Sequence, residues 1–160
     1  MSKIHWPYDH RPEGAAIHEA NTAIAQATPE EVWAWLVRPD RWAEYYGNVS
    51  KVRHVAGPWP AIATGTTFSW TTFHTKVTTV VTECVPSERL AWTGGGLGSV
   101  GHHAWRLTPT DDGRTEIRTE ETQRGTASRL LAPLLRRNMR IWHQRWVDQL
   151  AEIAATGRRP

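Results

Sequence analysis

The sequence predicts an α+β domain in which a strongly bent antiparallel sheet curls around one long C-terminal helix. Two short helices plug one end, and an apolar cavity lies between sheet and helix. Three observations predict it. Two short helical segments lie near the N-terminus, a long run of strand-like segments follows, and the apolar period changes from 2 to 3.6 only after residue 126. Layers of this kind share one core. A sheet that grips a helix at an angle cannot pack against it everywhere, so a cavity is the geometric expectation.

Residues 1–15 carry Pro7, Pro12 and Gly14 and read as an extended or disordered arm; 16–156 form a single domain and 157–160 a tail. The first strand covers 17–27. Thr28-Pro29-Glu30-Glu31 then starts a helix, with a hydroxyl N-cap, proline at the first helical position and acids at the positive end of the dipole. Pro39 disfavours an α conformation at Arg38 and ends that helix. Asp40 caps a second short helix carrying Trp42, Tyr45 and Tyr46, and 49–56 is a second strand. Gly57-Pro58-Trp59-Pro60 is a loop, too rich in proline for a ladder.

Residues 66–73 and 76–85 form a hairpin turning at His74-Thr75, with Phe68, Trp70, Val77, Thr79 and Val81 on one face. After Pro86-Ser87-Glu88 come a short strand at 90–93, a glycine-rich loop, a strand at 102–108, the turn Asp111-Asp112-Gly113 and a last strand at 115–123. The helix covers 127–155. Leu131, Leu135, Trp142, Trp146 and Ile153 make its apolar stripe, flanked by Met139 and Leu150, while Asn138 and Gln149 are polar intrusions. Pro133 marks a kink or the true helix start.

Composition bounds the function. A chain of 160 residues holds one domain with a real core, and 39% hydrophobic with 22% charged residues is ordinary globular composition. Ten tryptophans against two phenylalanines is unusual, and indoles suit cavity walls as well as cores. The single Cys84 excludes an internal disulfide, and as a strand residue without an evident base it reads as an inert thiol. No apolar run reaches signal or membrane-span length, so the expectations are a cytoplasmic protein, no membrane insertion, and a monomer or homodimer. The net charge of +3 comes largely from Arg129, Arg136, Arg137, Arg140, Arg145, Arg158 and Arg159. These lie mainly away from the apolar stripe and read as a solvated face, so no nucleic-acid partner is expected.

Two stretches, from Ile24 through Thr28-Pro29-Glu30-Glu31-Val32-Trp33 and then Pro39-Asp40-Arg41-Trp42, resemble the N-terminal signature of the START-like, Bet v 1-like (SRPBCC) superfamily, in its polyketide cyclase/dehydrase branch. Val81-Thr82-Glu83, Pro86, Arg89-Leu90-Ala91-Trp92 and the terminal helix continue the resemblance over 16–155. It implies the helix-grip fold. Members include aromatic cyclases, lipid and hormone carriers and stress-regulated binding proteins, all using the same cavity. No universal catalytic motif carries over, so site residues must be argued from this chain.

Gly96-Leu97-Gly98-Ser99-Val100-Gly101 spells G-x-G-x-x-G, but a strand follows it and no helix N-terminus is there to hold a pyrophosphate. The segment reads instead as a connection at the cavity mouth. His102 and His103 point to opposite faces of their strand, and His103 shares the inward face of Trp105 and Leu107. On the next strand Ile117, Thr119 and Glu121 face inward, and hairpin parity makes His103 and Glu121 direct or diagonal neighbours. An imidazole beside a carboxylate on a cavity wall can move a proton at neutral pH. The bland alternative is a satisfied polar pair at the rim.

Tyr46, Trp70, Trp105, Thr119, Asn138 and Trp142 are the candidate substrate contacts, with Trp146 as a further stacking surface; at least two of Trp70, Trp105, Trp142 and Trp146 are expected to be plain core. No third residue is seen to back a His/Asp/Glu pair, so neither a metal nor another cofactor is expected. The leading reading is a cofactor-free cyclisation or dehydration of a polyketide-like or aromatic molecule. A carrier or sensor of a hydrophobic ligand, or a stress-type partner-regulating domain, remains open beside it.

Overall fold

The computed structural model describes residues 4–160. Seven antiparallel strands form one sheet: β1 (Ile17–Ala25), β2 (Ser50–Ala56), β3 (Thr67–Thr72), β4 (Thr75–Val85), β5 (Arg89–Gly96), β6 (Ser99–Pro109) and β7 (Thr115–Gly125), in the order β1-β7-β6-β5-β4-β3-β2. Helix α1 (Pro29–Leu36) and a 3-10 turn (Pro39–Glu44) follow β1; α2 (Thr126–Leu130) and the long α3 (Ala132–Ala155) follow β7. The sheet curls about α3, which is the helix-grip arrangement.

Local chemistry explains the boundaries. Thr28 and Glu31 close a capping box on α1: the Glu31 amide donates to Thr28 Oγ1 over 3.3 Å and the Thr28 amide to Glu31 Oε2 over 2.8 Å. Pro133 sits in the first turn of α3, and the break at Leu131 separates α2 from it, so the proline marks the true start of the long helix. The β3–β4 turn uses Phe73 and His74, both at positive φ (48° and 59°), one residue earlier than His74-Thr75. The register moves by two as a result. Phe68, Trp70, Val77, Thr79 and Val81 therefore keep their common face.

The glycine-rich segment is not a loop. β5 runs on through Gly96 and pairs with β6 across a two-residue turn, Leu97-Gly98, both at positive φ (48° and 74°). Nor is the N-terminal arm loose: its first three residues lie outside the described ones, but the rest crosses the sheet face opposite α3. Thr122 Oγ1 donates to the His10 carbonyl over 2.8 Å, and Arg124 donates to the carbonyls of Arg11, Glu13 and Gly14. Trp6 sets its ring edge-on to those of His18 and His102.

One half of the interior is filled with rings. Trp42 is fully buried, its centroid 5.1 Å from that of Trp146, 5.4 Å from Trp70 and 5.5 Å from Trp92. The other half is hollow, for a reason visible in the register.

Candidate functional site

Two inward-facing rows cross the sheet side by side. Val81, Trp92, His103 and Glu121 are successive cross-strand partners and fill their row with bulk. The next row is Thr79, Gly94, Gly101 and Gln123, where the two central positions have no side chain. A cavity of about 200 Å³ opens over this second row. Trp70, Trp92 and Trp146 bound it on the ring-filled side, Leu131, Leu135 and Met139 on the helical side, and Leu97 stands at the β5–β6 turn. The vacancy is specific: a Cβ on Gly94 would meet Thr79 Oγ1 at 2.8 Å, and one on Gly101 would meet Glu121 Oε1 at 2.9 Å. Gly101→Ala is thus expected to push the Glu121 carboxylate off its position and to lower stability by about 1–3 kcal/mol, the usual cost of overpacking, measured by urea denaturation.

His103 and Glu121 are directly opposed, and both face the cavity. His103 Nδ1 lies 3.2 Å from Glu121 Oε2, and its Nε2 lies 2.6 Å from Thr119 Oγ1. The ring is clamped by Trp105, stacked at 5.1 Å, and by Trp92 at 5.0 Å. A third group joins them. His143, from α3, places Nε2 3.3 Å from the same Glu121 Oε2 and stacks on His103 with ring centroids 4.7 Å apart. Gln123 donates its amide to Glu121 Oε1 over 2.9 Å.

Burial depresses the His103 imidazole well below its ordinary value, and the Glu121 carboxylate offsets this only in part, so the ring is neutral at pH 7. Burial alone would raise the Glu121 carboxyl; hydrogen bonds from the His143 imidazole and the Gln123 amide pull it down, while the neutral His103 ring adds no charge to that balance. The wall therefore presents a carboxylate flanked by two imidazoles to an otherwise largely apolar space.

The sequence missed His143. It lies on the buried face of α3 with Met139, Trp146, Val147 and Leu150, a stripe rotated from the one drawn through Leu135, Trp142 and Ile153. Its spacing, four after Met139 and three before Trp146, was the available signal. His103, Glu121 and His143 offer ligand atoms within 4.8 Å of one another, so a third residue does back the pair, contrary to the expectation from the sequence.

Of the expected substrate contacts, Trp70 is on the cavity wall. Thr119 sits behind His103, fully buried, with its hydroxyl 3.1 Å from the Ala104 carbonyl. Trp105 lies beneath the same ring. Tyr46 is stacked on Trp146 at 4.3 Å, and its hydroxyl accepts from Asn48 Nδ2 over 3.3 Å. Trp142 packs against Tyr46 and beneath Arg145. These four, with half-buried Asn138, lie off the wall, because the indole-packed half of the interior absorbs them or the helix turns them aside. Trp105 is plain core, Trp142 packs half-buried against the edge of the core, and Trp70 and Trp146 line the void. Cys84 is half-buried and burial pushes its thiol up, as suits an unreactive residue.

Residues 17–155 match the family model described as polyketide cyclase / dehydrase and lipid transport. The chain belongs to this family. A hypothetical protein, jhp0584 from Helicobacter pylori, is 27% identical with a TM-score of 0.88, over 96% of this chain and 97% of that one. The Zhui aromatase/cyclase from Streptomyces sp. R1128 is 13% identical with a TM-score of 0.73, over 86% and 93%. Ara h 8.0201 is 11% identical with a TM-score of 0.70, over 88% and 98%. At such identities the last two speak for the fold alone. Among curated proteins, none matches. Family and fold thus bear out the SRPBCC resemblance, and among the described residues no helix is long and apolar enough to cross a membrane.

Proposed function

We propose that this polyketide cyclase/dehydrase-family protein encloses a small, mainly apolar molecule carrying a carbonyl or hydroxyl group and promotes a cyclisation or dehydration by proton transfer at His103 and Glu121. One observation carries the reading: a cavity with indole and leucine walls has a carboxylate–imidazole group at one side, placed to meet a polar atom of a bound molecule. Such a step needs no organic cofactor. Holding a flexible chain in one fold would itself supply much of the rate.

Size narrows the substrate class. A void of about 150 Å³ accepts benzene, so about 200 Å³ suits a one- or two-ring aromatic. Larger polyketide-like molecules would have to protrude past Leu97 and Leu131.

The test is a titration with phenols and aryl ketones of one to four rings, read by tryptophan emission, since Trp70, Trp92 and Trp146 all border the cavity. Saturable quenching by the one- and two-ring members, weaker for three and four, is expected. No saturable response from any of them would overturn the reading. Recovery of every bound compound unaltered would leave binding intact and exclude the catalytic half, as for a carrier.

A further inference from the structure

Three donor atoms on two strands and one helix converge beside the cavity. His103 Nδ1 and His143 Nε2 approach one and the same oxygen, Glu121 Oε2, at 3.2 and 3.3 Å. Neighbouring ligands of a tetrahedral ion with bonds of about 2.0–2.1 Å stand roughly 3.3–3.4 Å apart, close to the distance of each imidazole nitrogen from the shared oxygen, and all three donor atoms lie within 4.8 Å of one another. The carboxylate is largely buried, and among the described residues its partners are two imidazoles and the Gln123 amide, none with a fixed positive charge. A largely buried carboxylate in such company lacks a cation.

Hydrogen bonding around the group fits ligation. With the Thr119 hydroxyl donating to the Ala104 carbonyl, His103 Nε2–H donates to Thr119 Oγ1, and Nδ1 is left as a lone pair. That lone pair then faces a carboxylate oxygen, two acceptors at contact distance, which a positive ion between them would reconcile. Outer partners that fix the tautomer in this way are characteristic of metal-bound histidines. Gly101 contributes by vacating the space that Glu121 occupies.

We propose that His103 Nδ1, Glu121 Oε2 and His143 Nε2 bind a divalent first-row metal ion, Zn²⁺ foremost, with its open coordination position toward the cavity. Two imidazoles and one carboxylate suit Zn²⁺ and its neighbours and disfavour Mg²⁺ or Ca²⁺. Binding itself is independent of the proposed activity. What the ion would do, polarising a carbonyl oxygen presented by the enclosed molecule, rests on the cavity reading and takes the place of proton transfer by His103 and Glu121, whose donor atoms it occupies.

The experiment uses the full chain after stripping with a chelator. Zn²⁺ is titrated calorimetrically, and Co²⁺ is titrated by visible absorption. One ion per chain is expected, with the ligand-field bands of a four-coordinate Co²⁺ centre. His143→Asn and Glu121→Gln should each abolish the bands, and Thr119→Val should weaken binding at least about tenfold through the unfixed His103 ring. His143→Gln serves where His143→Asn does not fold by circular dichroism. His18→Asn, which breaks the imidazole–carboxylate pair with Glu120 on the opposite sheet face, should change nothing. Absence of saturable one-to-one binding would overturn the proposal, as would binding that survives Glu121→Gln but is lost in His18→Asn. The aromatic titration, run on the stripped protein, separates failure of this proposal from failure of the cavity reading.

Discussion

Trp42→Ala is expected to cost about 3–5 kcal/mol of folding stability, read as a lowered urea midpoint at unchanged slope. The indole is fully buried at the meeting point of the 3-10 turn, the sheet and α3, with Phe68, Trp70, Trp92 and Trp146 around it. Its Nε1 donates to the Leu36 carbonyl over 3.0 Å, satisfying a group at the end of α1 that has no helical partner. Truncation therefore removes a large apolar surface, orphans that carbonyl and leaves a void. The void cannot close, because its lining is rigid rings packed on one another and not flexible chains. Trp142→Ala is the contrast: its ring is half-buried at the edge of the same cluster, and the loss should be well under half as large. A loss below about 1 kcal/mol for Trp42→Ala would mean that the indole cluster is not the structural centre of the domain.

That centre also explains what the sequence could and could not tell. Strand parity was readable because β6 and β7 pair without a register shift, so side chains alternate along both and the facing of His103 and Glu121 followed from Trp105, Leu107 and Ile117 alone. The cap at Thr28 and the helix start at Pro133 were readable because each depends on a few adjacent residues. The cavity's cause was not. Gly94, Gly95 and Gly96 carry no side chain and hence no alternation, so a strand built from them looks like a loop until its partner is known. Nor can a sequence say which of ten indoles borders a void, since the same ring fills a core or faces a cavity depending on its neighbour across the sheet. His143 escaped for a different reason. A stripe drawn through apolar residues passes over a buried histidine, even one spaced correctly between Met139 and Trp146.

His103→Gln is expected to lower turnover of a cavity-bound substrate by roughly a hundred- to ten-thousand-fold while leaving its binding within a few-fold. Glutamine is of similar length, and its amide can still reach Thr119, so the wall keeps its shape. What it lacks is a ring nitrogen beside Glu121 Oε2, whether that nitrogen passes a proton or holds an ion that acts on the carbonyl. Binding survives because most of the contact area comes from Trp70, Trp92, Trp146 and the leucines of α3 and not from the imidazole. Trp70→Ala should divide the two quantities the other way, weakening the tryptophan-read affinity more than the turnover at saturation. Equal turnover in the wild type and His103→Gln, on a substrate that both convert, would remove the imidazole from the chemistry. The apolar cavity would then remain as a binding site, and the polar group beside it as a fixture of the fold.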